Sequence, residues 1–278
     1  MGLKVTVLVE NTVGVSIGVV AEWGLAMLLD FGDERILLDT GEQGNIVKNA
    51  KALKIDLDQV DKLVLSHGHY DHTGGLMEFL KYKGPIPVYA HPELFMGHYG
   101  GSSSGQGKRY IGVPYRLEQL ESAGANFIWQ REPMKIRPDL WLSGEIPRNS
   151  DFERVDDRLL QKDGSQFGQD LLPDDFSLFY QNDKGLVIFL GCAHAGLVNI
   201  VEYAKKVTGI DKVRAIVGGT HLGPTSPEQK EKTIAYLRTL DLETLAPNHC
   251  TELPMASRLA VEFPAQFKWA SVGTTLEF

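Results

Sequence analysis

The sequence predicts an α/β protein, and three observations lead there. Short apolar runs of strand character alternate with segments of helical spacing. Both halves of the chain follow one plan: a strand, then a polar loop, then a helix, without a clear internal sequence repeat. Histidines collect in the polar loops where strands end.

The elements follow in order. Residues 3–9 alternate apolar and polar as a strand. Residues 25–31 and 35–39 read as two more, with Gly32-Asp33-Glu34 as the turn between them. Asp39-Thr40-Gly41 breaks the pattern, and a helix is expected from about Asn45 to Leu53. Residues 61–66 form a short buried strand that runs into a histidine-rich loop, followed by a helix from Leu76 to Lys81. Ile86 to Ala90 is a further strand. The Gly/Ser-rich stretch 97–107 reads as a mobile loop, either a lid over a substrate or a surface insertion. No Gly-Lys-Ser/Thr ends it, so it is not a phosphate-binding loop. Residues 151–175 carry eight Asp/Glu against three Lys/Arg and read as an irregular, solvated connection inside a single domain spanning 1–278. The strand pattern then renews. A hairpin is expected at 177–181 and 186–190, then a helix from Leu197 to Val207 and a strand from Val213 to Val217. A helix from Pro227 to Leu240 and a strand from Thr244 to Ala246 complete the series.

Composition narrows the function. The 278 residues include 28 Lys+Arg and 36 Asp+Glu, a formal charge of −8, with 43% hydrophobic residues. That apolar fraction excludes wholesale disorder. The acidic balance and the lack of a basic block argue against a nucleic-acid partner. The most apolar stretch, Val13 to Leu29, contains Glu22 and falls short of the ~20 residues that span a bilayer. Two cysteines, Cys192 and Cys250, cannot build a disulfide framework. The expectation is a cytoplasmic protein acting on a small molecule, with no membrane partner; the oligomeric state is left open.

Three of the eight histidines fall within six residues: His67, His69 and His72, with Asp71 among them. At i and i+2, His67 and His69 project to the same side of an extended segment. Neutral imidazoles and a carboxylate are ligands of Zn, Fe or Mn. Three His and one Asp at four fixed positions would arise by chance on the order of 10⁻⁶ per window. Four such donors cannot complete two coordination spheres, so others must come from elsewhere. His194, His221 and His249 each follow an apolar strand and are the candidates. His91 ends a strand but precedes a proline, and His98 lies in the Gly/Ser-rich loop, so both are weaker candidates.

With His67-Gly68-His69-Tyr70-Asp71-His72, Asp39 in Asp39-Thr40-Gly41, and His249 in Pro247-Asn248-His249, the chain resembles the metallo-β-lactamase superfamily. The resemblance implies an αββα sandwich. It also implies that Asp39 orients the metal loop through hydrogen bonds. Glu10-Asn11-Thr12, Glu22-Trp23-Gly24-Leu25, the loop from Leu65 to Gly75, Gly144-Glu145-Ile146-Pro147-Arg148, Gly191-Cys192-Ala193-His194-Ala195-Gly196 and His249-Cys250-Thr251 are together similar to one branch of metal-dependent hydrolases. That branch includes dihydropteroate-synthase-like proteins, which join a dihydropterin to a ribofuranosylaminobenzene phosphate. The chain departs from the superfamily pattern at two places. Gly144-Glu145 stands where a third-motif histidine is usual, and Gly191-Cys192-Ala193-His194 where a bridging aspartate is usual.

The resemblance implies two divalent ions, zinc first, with iron or manganese as alternatives. His67, His69 and His194 would hold one, and Asp71, His72 and His249 the other. Cys192 is expected to be a small buried residue near the ligands. Asp71 would also orient the nucleophile, and His221 would pass a proton to the leaving group. Glu145 and Arg148 are candidates for the substrate, with Lys108 and Arg109 as further cations. The leading expectation is a hydrolase acting on a small anionic substrate. The alternatives are a transferase acting on a dihydropterin diphosphate, with Trp23, Tyr99 or Trp141 as stacking partners, and a metal-binding sensor without turnover.

Overall fold

A computed structural model describes residues 2–101, 107–164 and 166–278. The chain forms two compact units. The first comprises residues 1–130, 157–170 and 271–278; the second comprises 131–156 and 171–270.

The first unit contains a seven-stranded sheet. Its strand order is Thr275–Glu277, Lys4–Val9, Ala26–Asp30, Arg35–Leu38, Lys62–Val64, Ile86–Ala90 and Ala125–Trp129. The first four strands pair antiparallel and the rest pair parallel. Connection length explains the change. Asp30 and Arg35 are joined by a tight turn through Gly32, whose φ is 87°. The parallel strands need crossovers, and helices Asn45–Ala52, Leu76–Lys83 and Leu117–Ser122 supply them. The helices place Ile46, Ala50, Leu76, Phe79 and Leu120 into one core with Leu37, Leu63 and Val88. The chain leaves the carboxyl ends of Arg35–Leu38 and Lys62–Val64 as Asp39 and as Ser66-His67, which is how an open α/β sheet assembles a site.

A second sheet in this unit corrects two expectations. It runs Gln166–Gln169, Leu159–Asp163, His98–Gly100 and Arg109–Tyr110. The shoulders of the Gly/Ser-rich stretch are therefore paired strands rather than loop, with Tyr99 opposite Tyr110. Residues 102–106, the middle of that stretch, lie outside the described residues. The acidic connection 151–175 is likewise not irregular throughout, because 159–163 and 166–169 form a hairpin whose first strand pairs with His98–Gly100. Composition hid both. The partners lie about sixty residues apart, and Tyr99 packs edge-on to Phe167 at 5.1 Å between ring centroids.

The second unit holds a six-stranded sheet: Thr244–Asn248, Val213–Gly219, Gly185–Leu190, Ser177–Asn182, Leu140–Leu142 and Met134–Arg137. The first three strands are parallel. Helices Leu197–Thr208, Pro227–Leu237 and Leu253–Glu262 cover it through Ile200, Val201, Ile234, Leu237 and Leu259. Pro227 and the Ser226 cap, which accepts from the Gln229 amide, start the middle helix where the sequence predicts. The three parallel strands end in Gly191-Cys192-Ala193-His194, Thr220-His221 and His249-Cys250.

Candidate metal centre

In the first unit the histidine loop is organised by Asp39, which is fully buried. Its carboxylate accepts the Ser66 amide at 2.7 Å, the Ser66 hydroxyl at 2.7 Å and His72 Nδ1 at 2.7 Å. An ionised carboxylate only accepts, so His72 carries its proton on Nδ1 and presents a lone pair on Nε2. The Ser66 hydroxyl spends its proton on Asp39. Its oxygen therefore accepts from His67 Nδ1, 2.9 Å away, and the lone pair of His67 also falls on Nε2. Asp39 sits at φ 61°, a backbone region uncommon outside glycine.

The three imidazoles lie against one another. The ring centroids of His67 and His72 are 4.2 Å apart, and those of His67 and His69 are 4.6 Å apart. His67 Nε2 and His69 Nδ1 meet at 3.0 Å. Burial, reinforced by the neighbouring His98, pulls His69 down to about 3, so its ring is neutral near pH 7. Asp71 and His72 belong to the one-turn helix Tyr70–Thr73, closed by the Thr73 hydroxyl on the His69 carbonyl at 2.9 Å. Gly68 is required here: a Cβ would stand 2.2 Å from the Leu94 carbonyl oxygen. Two proton-ordered lone pairs and a neutral third imidazole, with a carboxylate on the same loop, form a donor set that fits a divalent ion of borderline hardness.

In the second unit the predicted residues occupy the strand ends. Ala193, His221 and His249 all have positive φ, at 56°, 49° and 47°. His194 and His221 pack ring to ring at 4.3 Å. Ring or sulfur atoms of Cys192, His221 and Cys250 lie within 4.8 Å of one another. The backbone amide of His221 donates to the Cys250 sulfur at 3.3 Å. Burial alone would raise the Cys250 thiol, but Cys192, His221 and His249 hold it well below the ordinary thiol range. His221 faces Asp156 at 3.7 Å. Burial pulls His221 down, but Asp156 and Cys250 outweigh it and push the ring up to about 9, so it carries a proton near neutral pH. The loop holding His194 is tied by its own contacts. Arg148 donates to the His194 carbonyl at 2.5 Å, and the Ala195 amide donates to Asp175 at 2.8 Å. The buried Glu153 accepts the Val198 and Asn199 amides that open the next helix, each at 2.9 Å.

The structure brings Asp39, His67, His69 and His72 together, and Asp71 shares their loop. Cys192 is buried, as predicted. Glu145 is half exposed and pairs with Arg131 at 2.5 Å. The second Arg148 contact is the Leu171 carbonyl, so its described bonds go to backbone. Lys108 lies over the Phe167 ring at 3.8 Å, and Arg109 over the Tyr70 ring at 4.8 Å. Trp23 is half exposed, Tyr99 packs on Tyr110, and the Trp141 indole donates to Gln181, so the three stacking candidates sit on separate elements. Nothing in the sequence marked Ser66, Asp156 or Asp170, and His98 ranked below the strand-end histidines. His98 is fully buried and bonded to Asp170, not placed in a solvated loop. Its partner is 72 residues away, and no local pattern signals the pair.

Comparison with known proteins agrees with this fold. The family model of the metallo-beta-lactamase superfamily matches residues 24–249. The chain is 30% identical, over 99% of its length and 97% of the relative's, to the 7,8-dihydropterin-6-methyl-4-(beta-D-ribofuranosyl)-aminobenzene-5'-phosphate synthase of Methanocaldococcus jannaschii. Among solved structures it is similar to Tm1679, a metal-dependent hydrolase of the β-lactamase superfamily, with a TM-score of 0.84, 26% identity and 99% of each chain covered. YhfI of Bacillus subtilis, a metallo-β-lactamase fold protein at 13% identity, shares the fold with a TM-score of 0.60 over the whole of both chains. The α/β fold of metallo-β-lactamase type expected from the sequence is the fold found, and the chain belongs to the metallo-β-lactamase superfamily.

Proposed function

We propose that the protein is a metal-dependent hydrolase acting on a small, anionic substrate. One observation carries the reading: Asp39 and Ser66 order the protons of His67 and His72 so that both Nε2 lone pairs are available. A structural histidine cluster has no need of that order. The likeness to a metal-dependent hydrolase over nearly the full length supports it. His67, His69, Asp71 and His72 are the proposed ligands in the first unit, and His194 and His249 keep the ligand role their motifs suggest. We take the complement as two divalent ions, zinc before iron or manganese. Bound there, such ions would supply Lewis acidity and acidify water. The chain's own residues do the rest. Asp39 holds the imidazoles in register. Asp71 offers a carboxylate to orient the nucleophile. His221, protonated near neutral pH, has a proton to give a leaving group.

A second reading is favoured by the 30% identity to the archaeal synthase. In it the same ligands serve a transferase that joins a dihydropterin diphosphate to a ribofuranosylaminobenzene phosphate. Two free buried cysteines support a reducing, cytoplasmic setting. Among the described residues no helix is long and apolar enough to cross a membrane.

The test begins with metal content per chain, wild type beside His67→Ala. Close to two ions, lost in the variant, is the expected result; none after growth in zinc, iron or manganese would end the metal reading. Turnover is then measured on phosphodiester, ester, lactone and thioester substrates, and on the pterin diphosphate pair. Hydrolysis alone supports the first reading and condensation alone the second. Metal without either activity would favour a sensor.

A further inference from the structure

His98 and Asp170 form a buried pair that neither proposed reaction uses. His98 Nδ1 lies 2.6 Å from Asp170 Oδ2, and both side chains are all but excluded from solvent. Their position is built, not incidental. Asp170 closes the hairpin of Leu159–Asp163 and Gln166–Gln169, its amide donating to the Leu159 carbonyl at 3.0 Å. The His98 carbonyl accepts the Ile111 amide at 2.9 Å, and the Ile111 carbonyl accepts the Tyr70 amide at 2.9 Å. Two backbone bonds therefore couple the strand of His98 to the residue that follows His69. The His98 ring stands edge-on to the His69 ring, 5.3 Å between centroids and 86° between planes. A ring nitrogen of each and a carboxylate oxygen of Asp170 lie within 4.8 Å of one another. His98 Nε2 reaches to 2.9 Å from the place a Cβ on Gly68 would take.

The protons follow from these contacts. Asp170, as an acceptor, keeps the His98 proton on Nδ1 and leaves a lone pair on Nε2. His69 turns Nδ1 toward His67 Nε2 at 3.0 Å, so a His69 that ligates through Nδ1 must carry its proton on Nε2.

We propose that His98 and Asp170 are positioning residues for His69: Asp170 fixes the His98 ring, and that ring, standing edge-on to His69, holds the His69 ring in the orientation that turns Nδ1 toward His67 Nε2 and the metal. The inference rests on the metal reading above. Outer partners of this kind are worth 10–100-fold in metal affinity.

The test compares His98→Asn, His98→Gln, His67→Ala and wild type, with zinc affinity read by competition with a chromogenic chelator and thermal melting of the metal-free proteins alongside. Asn keeps a donor for Asp170 but is too short to reach His69; Gln reaches His69. The expected result is a 10–100-fold weaker zinc affinity for His98→Asn at little cost in melting temperature, with His98→Gln within a few-fold of wild type. Long-range proton–nitrogen NMR of zinc-loaded wild type should show His69 protonated on Nε2. Tight zinc binding by wild type together with unchanged affinity in His98→Asn, or a His69 protonated on Nδ1, would overturn the positioning role and leave the metal reading standing. No zinc binding by wild type would overturn both.

Discussion

His72 Nδ1 lies 2.7 Å from Asp39 Oδ2, with both side chains fully excluded from solvent. The contact ties the residue after one strand of the sheet to the loop that follows its parallel neighbour. It does two jobs at once: it closes the loop, and it decides which nitrogen of His72 keeps a lone pair.

Replacing Asp39 separates those jobs. Asp39→Ala leaves the Ser66 amide and His72 Nδ1 buried without their acceptor, and breaking a buried pair of this kind costs about 3–5 kcal/mol. Asp39→Asn retains an oxygen for the Ser66 amide but no longer dictates the His72 proton. It should fold and bind metal about 10–100-fold more weakly. Denaturant melts and chelator competition check both variants, and wild-type affinity in Asp39→Asn would count against proton ordering.

Acid should destabilise the metal-free protein through His69. Its folded value is about 3 against an ordinary 6.5. Between those values the unfolded chain binds a proton that the folded chain does not. Stability therefore falls as pH drops below about 6.5, by up to about 1.4 kcal/mol per unit, and this contribution levels off near pH 3. Urea melts at pH 7 and pH 5 should show a slope that His69→Asn reduces by about one proton. Equal slopes in the two proteins would exclude His69 as its source.

Asp175 works in the opposite direction. Burial raises its carboxyl to about 6 from 3.8, against the pull of the Ala195 amide and Arg148. Between those values the folded chain holds the extra proton, so the group costs stability as pH rises from about 4 to 6, and the full cost persists above that. Asp175→Asn can still accept the Ala195 amide. It should be more stable than wild type by about 2 kcal/mol at pH 7.5 and no more stable near pH 4. Paired melts at the two values decide it.

Gly68→Ala tests how tightly the histidine loop is packed. The new methyl would stand 2.2 Å from the Leu94 carbonyl oxygen and 2.9 Å from His98 Nε2. A carbonyl in backbone cannot swing away, so the loop must move. The expected cost is about 1–3 kcal/mol in stability, with metal affinity falling further than stability alone explains. A variant with wild-type melting and wild-type affinity would show that the loop has slack.

Much of the fold was legible because the parallel strands are buried on both faces and read as short apolar runs. Leu186–Leu190 and Val213–Val217 are examples, and both lie within the observed strands. The region 111–143 was not read, although it contains helix Leu117–Ser122 and strands Ala125–Trp129, Met134–Arg137 and Leu140–Leu142. Three of those residues, Phe127, Ile128 and Trp129, face outward enough to blur the alternation.

His67, His69, Asp71 and His72 were legible in the sequence itself, because they gather three imidazoles and a carboxylate within six residues, and their types and spacing are visible there. Asp39 too was marked, through the family resemblance that Asp39-Thr40-Gly41 carries. What only the tertiary structure decided is where each proton sits. Ser66 donates to Asp39 and accepts from His67, Asp170 accepts from His98 Nδ1, and Asp156 faces His221 across 3.7 Å, where its charge helps push the ring up. These partners lie between 27 and 72 residues apart for all but the Ser66–His67 contact. Hydrogen bonds act over about 3 Å in space and are indifferent to separation along the chain, so no local pattern can record them.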